Sequence, residues 1–299
     1  MQSRPLTHVS VWLDDSPAND KVFPQALDWA FRLSLPLRAV VTSPRFQTHL
    51  SYDEGQVFLS NETNQRREPV VEKMKAWGIA CTERGIALEM FMWLGDGDAG
   101  MNQFLRPRGL CVFADAPSGI QQDLLRRSAS TQENAVLLCS PNCSPMSRIL
   151  VVYDQAAPNG AYLENVARLC QTLEIQPVIL IVAKTEREAS RRRGYAEGVC
   201  NSFRLQADFD FVVGCDLRSA VKRVATWRSC SHLIIERQNA VSWWQRDNGD
   251  LLDQLRGLSE SLTILALPQS VALDVPRMIP RGSLNLLRTS STDTQTIRQ

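Results

Sequence analysis

Two stretches far apart in the chain share one form. His8-Val-Ser-Val-Trp-Leu-Asp14 and Arg148-Ile-Leu-Val-Val-Tyr-Asp154 are both apolar runs closed by an acid. Each leads into a turn, Ser16-Pro-Ala-Asn19 or Gln155-Ala-Ala-Pro-Asn-Gly160, and then into helical periodicity. Tyr162, Val166, Leu169, Cys170 and Leu173 recur at the spacing of one helix face, and Ala26, Trp29, Ala30 and Leu33 make a similar stripe. Pro24 is expected in the first turn of its helix, since a deeper proline costs about 3 kcal/mol. A repeat of this kind restricts the chain to architectures made of a duplicated unit.

The alternation continues in parallel through both copies. Leu37 to Thr42 and Pro177 to Ala183 read as second strands, and Arg66 to Arg84 and Glu186 to Arg204 as polar helices. Ala87 to Trp93 and Phe209 to Val213 read as third strands, followed by helices opening at Asp98 and Asp216. Fourth strands are Leu110 to Phe113 and His232 to Glu236; fifth strands are Ala135 to Cys139 and Leu262 to Leu267. Near-continuous Val/Ile/Leu strands between amphipathic helices predict parallel sheets covered on both faces, joined by right-handed crossovers. Residues 44–65 interrupt the pattern as a polar insertion. Residues 269–299, rich in Ser, Thr and Arg, read as a flexible tail.

A chain of 299 residues is long enough for two domains, read here as 1–143 and 144–268. With 33 Lys+Arg against 32 Asp+Glu the net charge is +1, so no overall field recruits nucleic acid or an anionic membrane. No run approaches the roughly 20 apolar residues of a spanning helix, and the N-terminus lacks a signal-peptide core. Together these place the protein in the cytoplasm. Its eight cysteines are scattered without a Cys-x-x-Cys pair and mostly lie in apolar stretches, as buried free thiols do. Three histidines far apart in sequence give no metal-ligand spacing, and no metal is expected.

The ordered, doubled pattern resembles the universal stress protein family in a tandem two-domain form. The residues that carry it are the strands ending at Asp14 and Asp154, the Ala26-Leu-Asp-Trp-Ala30 segment, and the strands Ala135 to Pro141 and Thr263 to Pro268. The resemblance implies an α/β fold of two Rossmann-like domains of the adenine nucleotide alpha hydrolase type. Each would hold a five-stranded parallel sheet of order 3-2-1-4-5 with helices on both faces. It also implies an adenine-nucleotide crevice between the ends of strands one and four, with Asp14 or Asp154 beside the adenosine. Pairing through the fifth strands, Asn134 to Ser140 against Ser261 to Leu267, is expected within the chain, with homodimerisation a further option.

In nucleotide-binding members a Gly-x-x-Gly-(nine)-Gly-Ser/Thr loop follows strand four, its backbone amides facing the phosphates. On the second copy the loop becomes Glu236-Arg-Gln-Asn239, nine residues, then Gly249-Asp250. Asn239 tolerates unusual backbone angles and can imitate a glycine, so Asp154, Asn239 and Gly249 are the surviving candidate ligands. A carboxylate from Glu236 or Asp250 at 5 Å from a phosphate charge repels by roughly 3 kcal/mol at an effective dielectric near 20. Trp243 and Trp244 add bulk to the same loop. In the first copy the matching positions are Ala114-Asp-Ala-Pro117 and Arg127-Ser128, where Pro117 removes an amide.

No nucleophile with an adjacent base is legible around Asp14, Asp15 or Asp154, so no catalysis is expected. Arg191-Arg192-Arg193 reads as a solvated helix face, and Gly95-Asp-Gly-Asp-Ala-Gly100 as a turn with an N-cap. The expectation is a non-enzymatic stress-response protein working through an unidentified protein partner. It would need no cofactor and would bind ATP weakly or not at all. An adenine-nucleotide-responsive regulator is the alternative, and an enzyme of the same α/β class the third.

Overall fold

The structure, a computed structural model, describes residues 4–13, 19–42, 52–53, 56–57, 61–93, 99–115, 119–130, 133–142, 146–154, 160–214, 217–237, 258, 261–268 and 271–272. In the N-terminal half its elements are β1 (Arg4–Pro5), β2 (His8–Leu13), α1 (Asn19–Arg32), β3 (Leu37–Thr42), β4 (Tyr52–Asp53), β5 (Gln56–Val57), α2 (Asn61–Glu83), β6 (Leu88–Trp93), α3 (Ala99–Phe104), β7 (Gly109–Ala114), α4 (Ile120–Ser130) and β8 (Ala135–Cys139). The C-terminal half continues with β9 (Ile149–Tyr153), α5 (Gly160–Leu173), β10 (Pro177–Ala183), α6 (Glu186–Ser202), β11 (Asp208–Val213), α7 (Leu217–Trp227), β12 (His232–Arg237), β13 (Thr263–Pro268) and β14 (Val271–Ala272).

Ten strands form one sheet in the order β11-β10-β9-β12-β13-β8-β7-β2-β3-β6. Every neighbouring pair is parallel except β8 and β13, which run antiparallel with Ile264 opposite Leu138, Leu265 opposite Leu137 and Ala266 opposite Val136. The fifth strands expected to pair do so, and their antiparallel contact merges the strands of both halves into a single mixed sheet. The reason is physical: two apolar edge strands left open would each present a row of unpaired N–H and C=O groups. Around this junction Thr263 Oγ1 accepts from the Ser140 amide at 3.2 Å, and Lys21 Nζ donates to the Pro141 carbonyl at 2.8 Å.

Apolar layers cover both faces of the sheet. One is built by α1, α2, α5 and α6 and includes Trp29, Trp77, Tyr162 and Leu169; the other is built by α3, α4 and α7 around Trp12, Phe104, Leu125 and Val221. Strand residues alternate between them, Val9, Val11 and Leu13 facing the first layer and Trp12 the second. The stripes read from sequence in α1 and α5 are all buried, and α7 buries Leu217, Val221, Val224 and Ala225 in the same way.

Five helices stop in the same way. Ser34, Gly85, Glu174, Arg204 and Ser229 take positive φ between 52° and 66°. The next amide then bonds the carbonyl five residues back: Leu35 to Ala30, Ile86 to Cys81, Ile175 to Cys170, Leu205 to Cys200, Cys230 to Ala225. This left-handed cap satisfies orphan carbonyls and turns the chain toward the next strand.

Four local expectations change. Pro24 lies in the second turn of α1, because the helix already begins at Asn19. It removes only the bond to the Asp20 carbonyl and is itself exposed, which limits the disruption. Helix α2 starts at Asn61, inside the polar insertion, where β4 and β5 also form a short antiparallel pair. Val271–Ala272, within the stretch read as a tail, pair in parallel with Arg4–Pro5. Finally, Arg192 is buried instead of solvated. Among the described residues, no helix is long and apolar enough to cross a membrane.

Candidate functional site

The crevice implied by the topology lies where β9 and β12 part. Their ladder ends with Ile234 opposite Val151, beyond which the two strands no longer pair. Tyr162, buried at the start of α5, points its hydroxyl into the gap. It lies 3.1 Å from the Val152 oxygen and 3.3 Å from the Ile234 oxygen, so one O–H proton is shared between both strands. Burial pushes the Tyr162 phenol well above its ordinary pKa, with Glu236 and Asp154 adding to the effect. A neutral Tyr162 hydroxyl therefore stands between the two strands where their pairing ends.

Asp154 follows β9, half-buried, and Glu236 stands near the end of β12. The Asp154 carboxyl is held above its usual range, first by burial and then by the neighbouring Glu236; its own backbone hydrogen bond and Arg192 pull the other way. Two carboxylates thus converge at the mouth of the crevice. Such a pair disfavours a polyphosphate approaching without cations.

Arg192 is the residue that sequence reasoning misplaced. Its Nη1 donates to the Val182 carbonyl at the end of β10, and its Nη2 donates to Glu188 Oε1 at 2.6 Å. Glu188 also accepts from the Lys184 amide at 2.9 Å, while its own amide donates to the Thr185 hydroxyl that caps α6. The backbone bond is the chief reason the Glu188 carboxyl sits below its ordinary range. The signal was present as Thr185-x-x-Glu188, a capping box, with Arg192 one turn further on. That geometry turns Arg192 inward, close enough to Tyr153 for its charge to act on that phenol; the Tyr153 ring stacks on Tyr195 at 6.4 Å between centroids.

Of the four candidate ligands, Asp154 is placed at the crevice. Asp14, Asn239 and Gly249 lie outside the described residues, as do Asp15, Trp243 and Trp244. In the N-terminal half, Ala114 ends β7, Arg127 is exposed on α4, and Ser128 is wholly buried. A hydroxyl sealed inside that helix packing is in no position to meet a phosphate. The position matching Tyr162, eight residues after the strand-ending acid, is Val22, which is buried and carries no hydroxyl. Among the described residues, no three His, Cys, Asp or Glu side chains converge in a way that would hold a metal ion.

The fold defines a class: α/β proteins with parallel strands, helices on both sheet faces and a crevice where adjacent crossovers diverge. Among solved structures it is the fold of the universal stress proteins. The chain superposes on a universal stress protein from Archaeoglobus fulgidus with a TM-score of 0.58 and 12% identity, covering 87% of this chain and 98% of that one. The cytoplasmic domain of a prokaryotic cation chloride cotransporter matches at 0.54 and 13% identity, covering 89% and 96%. A protein of unknown function from Pseudomonas aeruginosa matches at 0.50 and 13% identity, covering 87% and 92%. No protein-family model and no curated protein matches the sequence.

Proposed function

We propose that the chain is a tandem pair of universal-stress-type units, residues 1–143 and 144–268, that acts in stress adaptation through protein contacts rather than catalysis. The observation that carries this reading is the state of the second-unit crevice. Tyr162 occupies the splay of β9 and β12, and Asp154 and Glu236 stand at its mouth. A nucleotide would have to displace a buried hydroxyl that serves two carbonyls and bring its phosphates toward two carboxylates. The β8–β13 junction supports the tandem reading, since it uses within one chain the edges that two separate copies would otherwise offer each other.

Calorimetry with ATP and Mg²⁺ tests the proposal. The wild-type protein is expected to bind at or above roughly 100 μM, a micromolar site weakened by about 3 kcal/mol. Replacing Glu236→Gly, Asn239→Gly and Asp250→Ser together removes two carboxylates and restores amide access. Tight binding by the wild type would overturn the reading in favour of an adenine-nucleotide regulator, and turnover of the bound nucleotide would make it an enzyme.

A further inference from the structure

At the opposite end of the C-terminal strands, away from Asp154 and Glu236, the surface has a distinct character. An open groove of about 430 Å³ is lined by Ser147, Lys222, Thr226, Ser229, Ser231 and Ser261 at the leading ends of β9, β12 and β13 and the closing turn of α7. Lys222 supplies the one formal charge among the described lining residues. Helix α7 extends that character outward. Its apolar stripe, Leu217, Ala220, Val221, Val224 and Ala225, is buried, and the exposed remainder holds Arg218, Lys222 and Arg223 with no acid anywhere in the helix. Beside them Trp227 is 68% exposed, the most exposed large apolar side chain among the described residues.

Trp227 is also braced. The Arg228 guanidinium lies 4.2 Å from its ring centroid, and Arg228 is itself clamped on Asp210 by two hydrogen bonds of 2.9 and 3.1 Å. An exposed indole with a fixed cation behind it has already lost much of the freedom that binding would otherwise take away.

We propose that the outer face of α7 and its adjoining groove dock an acidic, extended protein segment. One carboxylate of the segment enters the groove against Lys222. Another meets Arg223, and an apolar side chain lies on Trp227. Arg223 and Trp227 are one turn apart on the same side of α7, a rise of about 6 Å that about two extended residues span. Charge complementarity selects an acidic partner. A membrane is disfavoured because the apolar face of α7 is already buried in the protein. RNA is disfavoured because three exposed cations and one indole fall short of the larger phosphate footprint that holds nucleic acid.

Selection of a random peptide library on the immobilised full-length protein tests this site independently of the nucleotide crevice. Enriched peptides are expected to carry at least two Asp or Glu around an apolar residue and to bind more weakly as salt rises. Lys222→Glu and Arg223→Glu should each weaken binding about tenfold, and Trp227→Ala about as much, with thermal melting of the Lys222 and Arg223 variants unchanged because those side chains are exposed. Enriched peptides without acids would overturn the proposal, as would affinity that survives the Lys222→Glu/Arg223→Glu double change. So would tighter binding of single-stranded RNA or phosphatidylserine vesicles to the same face.

Discussion

The Tyr162 hydroxyl lies 3.3 Å from the Ile234 carbonyl, so α5 is tied to β12 at the point where that strand leaves β9. The same proton reaches the Val152 carbonyl at 3.1 Å. Both acceptors belong to buried strand residues, and the Tyr162 hydroxyl is placed between them.

Tyr162→Phe keeps the ring and removes only the proton. Leaving buried acceptors unsatisfied should lower stability by about 1–3 kcal/mol. Urea unfolding followed by circular dichroism measures it. A loss below about 0.5 kcal/mol would mean that water satisfies both carbonyls.

Much of the sheet was legible because its strands are buried on both faces and read as continuous apolar runs. Leu37–Thr42, Ala135–Cys139 and Pro177–Ala183 fall where the pattern puts them, and the other long strands differ by one residue at one or both ends. The two-residue strands were not legible, since pairs such as Arg4–Pro5 with Val271–Ala272 carry no periodicity and depend on tertiary placement. At the crevice, Asp154 stood out as the acid closing a strand. Tyr162 looked like an ordinary member of an apolar stripe, because the spacing that buries its ring says nothing about where its hydroxyl points. Arg192 was hidden by its charge: the Thr185-x-x-Glu188 box marks its Glu188 partner, but the Val182 carbonyl of β10 that completes its burial lies outside that local pattern.

The left-handed caps make a prediction of gain. Ser34, Glu174 and Arg204 are exposed non-glycine residues held at φ 52°, 55° and 52°, where a Cβ is strained. Glycine at each should stabilise the fold by about 0.5–1 kcal/mol, the relief of the left-handed penalty less the extra freedom of the unfolded chain. The three sites lie on separate helix ends, so their effects should add. Thermal unfolding of the single and triple variants checks both points, and a triple variant no more stable than wild type would show that the caps are unstrained.

Gly109 is required by His8. A Cβ built on Gly109 would sit 2.7 Å from His8 Nε2, with the Arg106 carbonyl 3.3 Å away. The ring has little room to retreat. Thr7 Oγ1, 3.3 Å from the Arg108 carbonyl to which it donates, lies 2.9 Å from Nδ1, which places the imidazole proton on Nδ1 and turns a bare Nε2 toward Gly109. Gly109→Ala should therefore cost about 1–3 kcal/mol through overpacking. Adding His8→Ser should recover part of that loss, and a double-mutant cycle by urea denaturation measures the coupling. Additive losses would place the strain elsewhere, at the Arg106 carbonyl.

Mild acid should destabilise the protein, and the two buried histidines set the range. His8 and His232 are each held down to about 4 from 6.5, chiefly by burial. His232 packs beside Trp29 at 6.3 Å between ring centroids, and its Nδ1 lies 2.9 Å from Ser231 Oγ, so its imidazolium would be enclosed by α1 at the junction. A depressed folded pKa means that the stabilising contribution is complete above 6.5 and is lost as pH falls toward 4. Each histidine therefore withdraws up to about 3 kcal/mol across that interval. Asp154 works in the opposite sense: its raised carboxyl contributes stability in acid that fades as pH rises, so it offsets part of the slope. Two histidines against one carboxylate leave a net loss on acidification. Urea unfolding between about pH 7.5 and about pH 4.5 should show stability falling steadily, and His232→Gln should flatten the slope by about half. A wild-type profile that is level over this interval would mean that both imidazoles gain water or a counter-charge on protonation, and that the junction beside Trp29 opens without unfolding.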